Sequence, residues 1–325
     1  MDLTLPIDIS AVNQGAVKYS NLLESIDKLD AQEALEDCTI MPGVQNSIVL
    51  GKKEGGAISS KYDGVFIGDK SLGKIVPRTL TVYPCVAEMA DEPERYRRSF
   101  IADVAGGLWD KKHPFEPWLL NDGITTASEE LHDCIYTAKY DADPDAKALS
   151  DSFDGFYTVL DADIAAGKIS AAIGNMFATG IMTAANCGEM LLAMWRKMPR
   201  TLRRKKTVMV ISYDLGDLYD DWYKLEHDNP PGVDQAGQMF LEGTNKKCRI
   251  KRISCLPEGC QRVTITTPKN KKYGVDKLKD LKDMKAFNSG NPYLFTAAMK
   301  YVFGTQFVSI HPREFMMNDQ PTTPV

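Results

Sequence analysis

The chain has 325 residues, 43% of them hydrophobic and 26% charged, ordinary proportions for a folded chain long enough to hold two domain-sized units or one elongated one. Its formal charge of -5 argues against a general electrostatic affinity for nucleic acid, since such binders neutralise many phosphates with Lys and Arg, although a local patch is compatible with it. Seven cysteines without a CxxC pair, and no secretory signal at the start, predict free, mostly buried thiols in a reduced compartment.

In chain order, "SNLLESIDKLDAQEALED" (20–37) reads as a short amphipathic helix with Leu22, Ile26, Leu29 and Leu35 roughly on one side. Without a packed partner it would behave as an arm. From 38 to 89, short β-prone runs alternate with glycine and lysine clusters. Strands are expected at Ser47 to Leu50 and Val65 to Ile67, around turns holding Gly51, Gly55 and Gly56, with another through Leu80, Val82 and Cys85. An extension this glycine-rich has little core of its own and is expected to project.

Three helices follow. Thr126 and Glu129 form a capping box ahead of a helix carrying Leu131, Cys134, Ile135 and Ala138. Ser150 or Asp151 caps a second, with Phe153, Phe156, Tyr157, Leu160 and Ile164 on one face and Gly167 at its end. The third runs from Thr183 to Lys197, and Pro199 ends it. The apolar stretch 169–195 is interrupted by Asn175, Asn186 and Glu189, whereas a membrane span needs about 20 apolar residues. It reads as buried protein.

"MPRTLRRKKTVMVIS" (198–212) then packs basic side chains against an apolar run. The strand 207–213 is followed by a helix opened by Asp214, with Leu215, Leu218, Trp222 and Leu225 at heptad-like intervals, closed by "NPPG". "KKCRIKRISC" and "QRVTITT" are expected as two strands of a hairpin turned by "LPEG", with a bulge where Lys251 and Arg252 adjoin. The segment 295–315 should supply the closing strands. These elements make an α+β chain without a βαβ rhythm.

Motifs with chemistry fail on inspection. "GDKSLGKI" (68–75) has the spacing of a phosphate-cradling loop, but Ile75 replaces the magnesium-binding Ser or Thr and Pro77 opposes the required helix. "DADPDA" (141–146) begins like a calcium loop, yet Ala146 and Ser152 occupy the glycine and glutamate positions. His113, His132, His227 and His311 are scattered, and Cys248, Cys255 and Cys260 lack zinc spacing. No GxSxG elbow exists. No catalytic residue, cofactor or metal ligand is therefore nominated.

The order of elements, with the phrases "SDSFDGFYTVL" (150–160) and "VISYDLGDLYDDWY", resembles the major capsid proteins of tailed phages, the Hong Kong 97-like fold, and in detail those of phages and prophages of gut bacteria. The resemblance implies an N-terminal arm at 1–46 and an E-loop at 47–79. It implies a peripheral domain at 80–150 with a spine helix at 126–140, an axial domain at 151–267, and a return to the peripheral domain at 268–325. It further implies assembly of copies into hexamers and pentamers of an icosahedral shell around double-stranded DNA, without a membrane. Portal, scaffolding or decoration proteins are implied partners, as is packaged DNA through non-specific contacts inside the shell. The implied location is the virion, assembled in the bacterial host cytoplasm. No long charged coiled-coil extension precedes the arm, so a separate scaffold or none is left open. An encapsulin-type compartment is the rival with the same fold; a hydrolase with an unrecognised site and a tail-tube protein are rivals from other classes.

A shell protein works through extended edges. Contacts between subunits are expected at Lys52, Lys53, Glu54, Lys61, Asp63 and Arg78 of the E-loop, at Arg95, Arg97 and Arg98 of "DEPERYRR", and at Arg200, Arg203 and Arg204. The last three are expected to meet Asp217, Asp220 and Asp221 of an adjoining copy. Positive charge at a helix C-terminus, worth about 0.3 to 1 kcal/mol per group, accounts for half of the basic run.

Overall fold

The computed structural model describes residues 34–55, 58–59, 61, 71–92, 95–96, 115–143, 145–228, 230–234, 237–277, 283–287 and 293–322. Most of the expected arm helix and the expected strand at Val65 to Ile67 lie outside these residues. Among the described residues, two sheets and a separate hairpin organise the chain.

The first sheet contains β1 (Thr39–Pro42), β4 (Tyr83–Asp91), β10 (Lys271–Val275), β11 (Lys285–Phe287) and β12 (Phe295–Phe307). β12 is its spine: thirteen residues long, it pairs antiparallel with β4 along its first nine residues and with β10 at its far end. Its alternating Phe295, Ala297, Met299, Tyr301 and Phe303 are buried in one core with two helices, as a half-buried strand requires. Those helices are α1 (Phe115–Cys134) and α2 (Phe156–Ala165).

α1 begins eleven residues before the expected start and ends at Cys134, so the capping box at Thr126 is not a helix start. Thr126 lies inside the helix, and its hydroxyl donates to the Asp122 carbonyl one turn back at 3.0 Å. Gly123 reads as a breaker in isolation, yet here it is a close approach: a Cβ there would sit 2.7 Å from Met89 Sδ on β4. α2 is capped not by Ser150 or Asp151, which form a short 3-10 turn, but starts after Gly155. Gly167, at φ +68, follows its end.

The second sheet has the order β5-β13-β9-β6-β8-β7, built from β5 (Met176–Phe177), β6 (Thr207–Ser212), β7 (Met239–Phe240), β8 (Cys248–Ile253), β9 (Thr264–Thr266) and β13 (Phe315–Asn318). β6 is buried at every position. Val208 and Val210 face the first core, while Met209 and Ile211 face a second one under α3 (Cys187–Lys197) and α5 (Tyr213–His227). Burial on both faces is why "TVMVIS" shows no alternation.

Three expectations change here. β8 and β9 are not a hairpin, because β6 lies between them: β8 runs parallel to it and β9 antiparallel. β6, α5 and β8 therefore form one parallel crossover unit, a βαβ element the sequence rhythm did not disclose. Nor is there a bulge at Lys251 and Arg252. Both stay in register with Val210 and Ile211, Lys251 pointing to Glu36 and Asp37 and Arg252 to α5; charged side chains on both faces masked a regular strand. Finally, β13 closes this second sheet, not the first, so the chain's last strand joins the region expected to be axial.

α5 starts with Ser212, whose hydroxyl accepts from Leu215 N at 3.1 Å, and ends at Asp228 in the left-handed region rather than at the prolines. α3 begins at Cys187, four residues after the expected Thr183, whose carbonyl accepts from Asn186 and Cys187. The stretch 169–195 is not uniformly buried: Ile181 is 74% exposed. A one-turn α4 (Arg200–Arg203) carries the basic run into β6. No helix among the described residues is long and apolar enough to cross a membrane.

Candidate functional site

The hairpin joins β2 (Ser47–Gly55) and β3 (Gly73–Thr81), in antiparallel register from Ser47 opposite Thr81 to Gly55 opposite Gly73. Lys74 and Ile75 of the phosphate-loop lookalike lie in this strand, not before a helix. Alternation gives the hairpin two unlike faces. Ile48, Leu50, Leu80 and Arg78 turn towards the body, while Val49 and Ile75, 67% and 64% exposed, stand on the outer face beside Pro77.

Two ionic ties fix its root. Arg78 Nη2 meets Asp163 Oδ2 of α2 at 2.5 Å and Gln306 Oε1 at 2.7 Å, and its Nε donates to the Phe307 carbonyl at 2.8 Å. Lys52 Nζ lies 2.9 Å from Glu314 Oε2, and Lys205 Nζ pairs with the other oxygen of the same carboxylate. Burial opposes ionisation of Glu314, but hydrogen bonds from Lys205 and Lys52 outweigh it and hold its carboxyl below the usual range. Arg78 is thus an internal tie within the subunit, its side chain 9% exposed.

A third tie holds the segment leading into β1. Arg249 bonds Asp37 and lies 3.4 Å from Glu36, while Lys251 Nζ is 3.2 Å from Glu36 Oε2 and 3.4 Å from Asp37 Oδ2. Mutual compensation makes the burial of Asp37 and Lys251 tolerable.

The remaining expected contact residues scatter. Lys53 and Lys61 are exposed. Arg95 pairs locally with Asp91 at 3.7 Å and Glu92 at 3.2 Å. Asp63, Arg97, Arg98 and the side chain of Glu54 lie outside the described residues. Arg200 and Arg204 are exposed, and Arg203 stacks over Trp195 at 5.6 Å. The expected acidic counterparts are engaged at home: Arg252 lies 3.5 Å from Asp217 and 2.6 Å from Asp220, and Lys224 lies 3.6 Å from Asp221. Within the subunit, then, β8 carries Arg252 under α5 where the sequence placed a bulge.

The partners that matter most were missed. Asp163 continues the Phe156, Leu160 stripe of α2 at helical spacing, and a carboxylate on an apolar stripe signals a buried cation nearby. Glu314 and Gln306 carried no such signal.

Pocket chemistry is sparse. A groove of about 920 Å³ between α3 and α5 is lined by Leu192, Tyr219 and Trp222, and one of about 900 Å³ beside β3 by Arg78, Tyr157 and Asp163. Among the described residues no three His, Cys, Asp or Glu side chains are placed to hold a metal. Asp141 and Asp143 of the calcium-loop lookalike instead accept from the backbone N–H two residues on. Burial pushes the Cys187 and Cys248 thiols up to about 12, far from a nucleophile at neutral pH.

A two-sheet α+β body with a hairpin tied at its root is the class of fold this geometry defines. No family model matches the chain, and no curated protein does. Among solved structures it is similar to a chain of the capsid of an empty GTA particle, with a TM-score of 0.55 and 11% identity over 89% of each chain. It is similar to a chain of the satellite phage P4 procapsid that includes the size determination (Sid) protein, with a TM-score of 0.54 and 10% identity over 92% of this chain and 98% of that one. For the cyanophage A-1(L) capsid the TM-score is 0.53, with 13% identity over 93% of both. The fold is that of phage capsid proteins, the Hong Kong 97-like fold.

Proposed function

We propose that this chain is a major capsid protein whose copies associate as hexamers and pentamers into an icosahedral shell around double-stranded DNA. The likeness to capsid subunits along nearly the whole of each chain carries the reading. The hairpin supports it: an outer face bearing Val49, Ile75 and Pro77 has no partner of its own among the described residues, and apolar surface of that kind is stabilised when a neighbouring copy covers it. In this reading the arm is 1–46, the E-loop 47–79, the peripheral domain 80–150 and 268 to the end of β12, and the axial domain 151–267 together with β13. Many weak contacts of one kind suit a closed symmetric assembly. A portal and scaffolding or decoration proteins are further partners, the virion is the destination, host cytoplasm is the place of assembly, and we assign no catalytic role. Electron microscopy of the full chain expressed in bacteria tests this: uniform round particles are expected. A chain that stays monomeric at every concentration and salt, or particles that enclose a protein cargo and never DNA, would overturn it.

A further inference from the structure

The basic run from Arg196 to Lys206 puts seven cations into eleven residues. Elsewhere in the second sheet cations are matched: Arg249 and Lys251 by Glu36 and Asp37, Arg252 by Asp220 at 2.6 Å, and Arg262 by Asp161 at 2.7 Å. Of the seven cations between 196 and 206, Lys205 alone has a carboxylate at ion-pair distance among the described residues, and it shares Glu314 with Lys52. Arg200, Arg203, Arg204 and Lys206 therefore form a ledge without a counter-charge among the described residues, on a chain whose net charge is -5. Glu189, Glu226 and Glu242 line the groove beside Arg196 and Lys197, so the ledge proper begins at Arg200.

The ledge is held in shape. Met198 and Leu202 are buried beneath it, Arg203 lies over Trp195, and Lys205 is fixed by Glu314. Arg200, Arg203 and Arg204 fall within one turn, about 6 Å from first to last at 1.5 Å per residue. Three guanidiniums so close repel one another unless an anion of matching density neutralises them, and their planar forks fit phosphate oxygens. A duplex carries one charge per about 1.7 Å of its axis. Within the subunit Asp217 and Asp220 of α5 face Arg252, and Asp221 faces Lys224, not the ledge.

We propose that Arg200, Arg203, Arg204 and Lys206 form a binding surface for the phosphate backbone of duplex DNA, read without base specificity. This deepens the shell reading and rests on it only for the identity of the polyanion. The test is anisotropy of a labelled 30-base-pair duplex (about three helical turns) titrated with the full, unassembled chain across a salt series. A R200Q/R204Q/K206Q variant is compared with K147Q/K269Q/K277Q, which removes three exposed lysines elsewhere. The parent is expected to bind with a steep salt slope, the ledge variant to lose about three from that slope, and the control to keep it. Equal binding by parent and ledge variant, or equal loss in the control, overturns the proposal. A ledge variant that binds DNA normally but no longer forms particles overturns it in favour of contact between copies. Ledge-dependent binding by a chain that never assembles would leave this inference standing and remove the shell reading.

Discussion

Replacing Arg78 by Gln separates the tie at the hairpin root from everything else in the molecule. Arg78 and Asp163 are each less than a tenth exposed at the side chain and meet at 2.5 Å. Taking away one member of a buried pair costs about 3 to 5 kcal/mol, because the other charge stays buried. Lys168 offers partial relief to Asp163 at 3.6 Å, but it is 62% exposed, and so screened a contact returns at most about 1 kcal/mol. The Phe307 carbonyl also loses its Nε donor. R78Q is thus expected to lower stability by about 3 kcal/mol, read as a shift of the urea midpoint at unchanged slope, and to speed amide exchange across residues 73–81 more than across β6. Removing both charges in R78L/D163L should restore most of that loss, since a buried pair replaced by apolar side chains is often neutral or better. A cost below about 1 kcal/mol for R78Q, or a double variant as damaged as the single one, would refute the reasoning.

Substituting V49S/I75S should leave the stability of the unassembled chain within about 0.5 kcal/mol, both side chains being exposed, while abolishing particles seen by electron microscopy; intact particles would refute the role given to the outer face. Gly304→Ala places a Cβ 2.1 Å from the Thr81 carbonyl oxygen on the strand leaving the hairpin, so urea unfolding should show a loss beyond the roughly 1 to 3 kcal/mol usual for overpacking. For Glu314 the folded carboxyl titrates below its ordinary value, so the stability it contributes is complete above the unfolded value, about 4.3, and is lost as pH falls through the folded one. E314Q should accordingly be less stable than the parent at neutral pH and approach it on acidification. A difference in unfolding midpoint that stays constant down to about pH 3 would refute the tie.

The sequence pattern disclosed what depends on periodicity and local chemistry. The face of α2 and the full burial of β6 follow from residue spacing, and each is present; the β run at Ser47 is present too, but it continues through Gly51 and Gly55, which were expected in turns, and pairs with Gly73–Thr81. It failed where a long-range contact overrides a local signal. Gly123 reads as a helix breaker until β4 presses Met89 against it, and Lys251 beside Arg252 reads as a bulge until each finds carboxylates on opposite faces of β8. Strand order is of the same kind: nothing in "LPEG" says that β6 separates the strands on either side. The ties to Asp163 and Glu314 span 85 and 109 residues from Arg78 and Lys205, and no spacing rule reaches that far. Residue types suited to contact were legible in this chain; their partners were not.

Such a division of labour has a physical consequence for the hairpin. An isolated two-stranded hairpin is marginal in water, and this one buries apolar side chains on its inner face alone, near the root. Charged ties there set its direction at a cost that falls on the subunit, while Val49, Ile75 and Pro77 on the outer face are stabilising when a second surface covers them. In the proposed shell, folding and association would draw on different residues of the same nine-residue strands. A defect in Arg78 must show in the unassembled chain and a defect in Val49 and Ile75 in the particle alone; a V49S/I75S chain that is itself destabilised would mean that the outer face also takes part in folding.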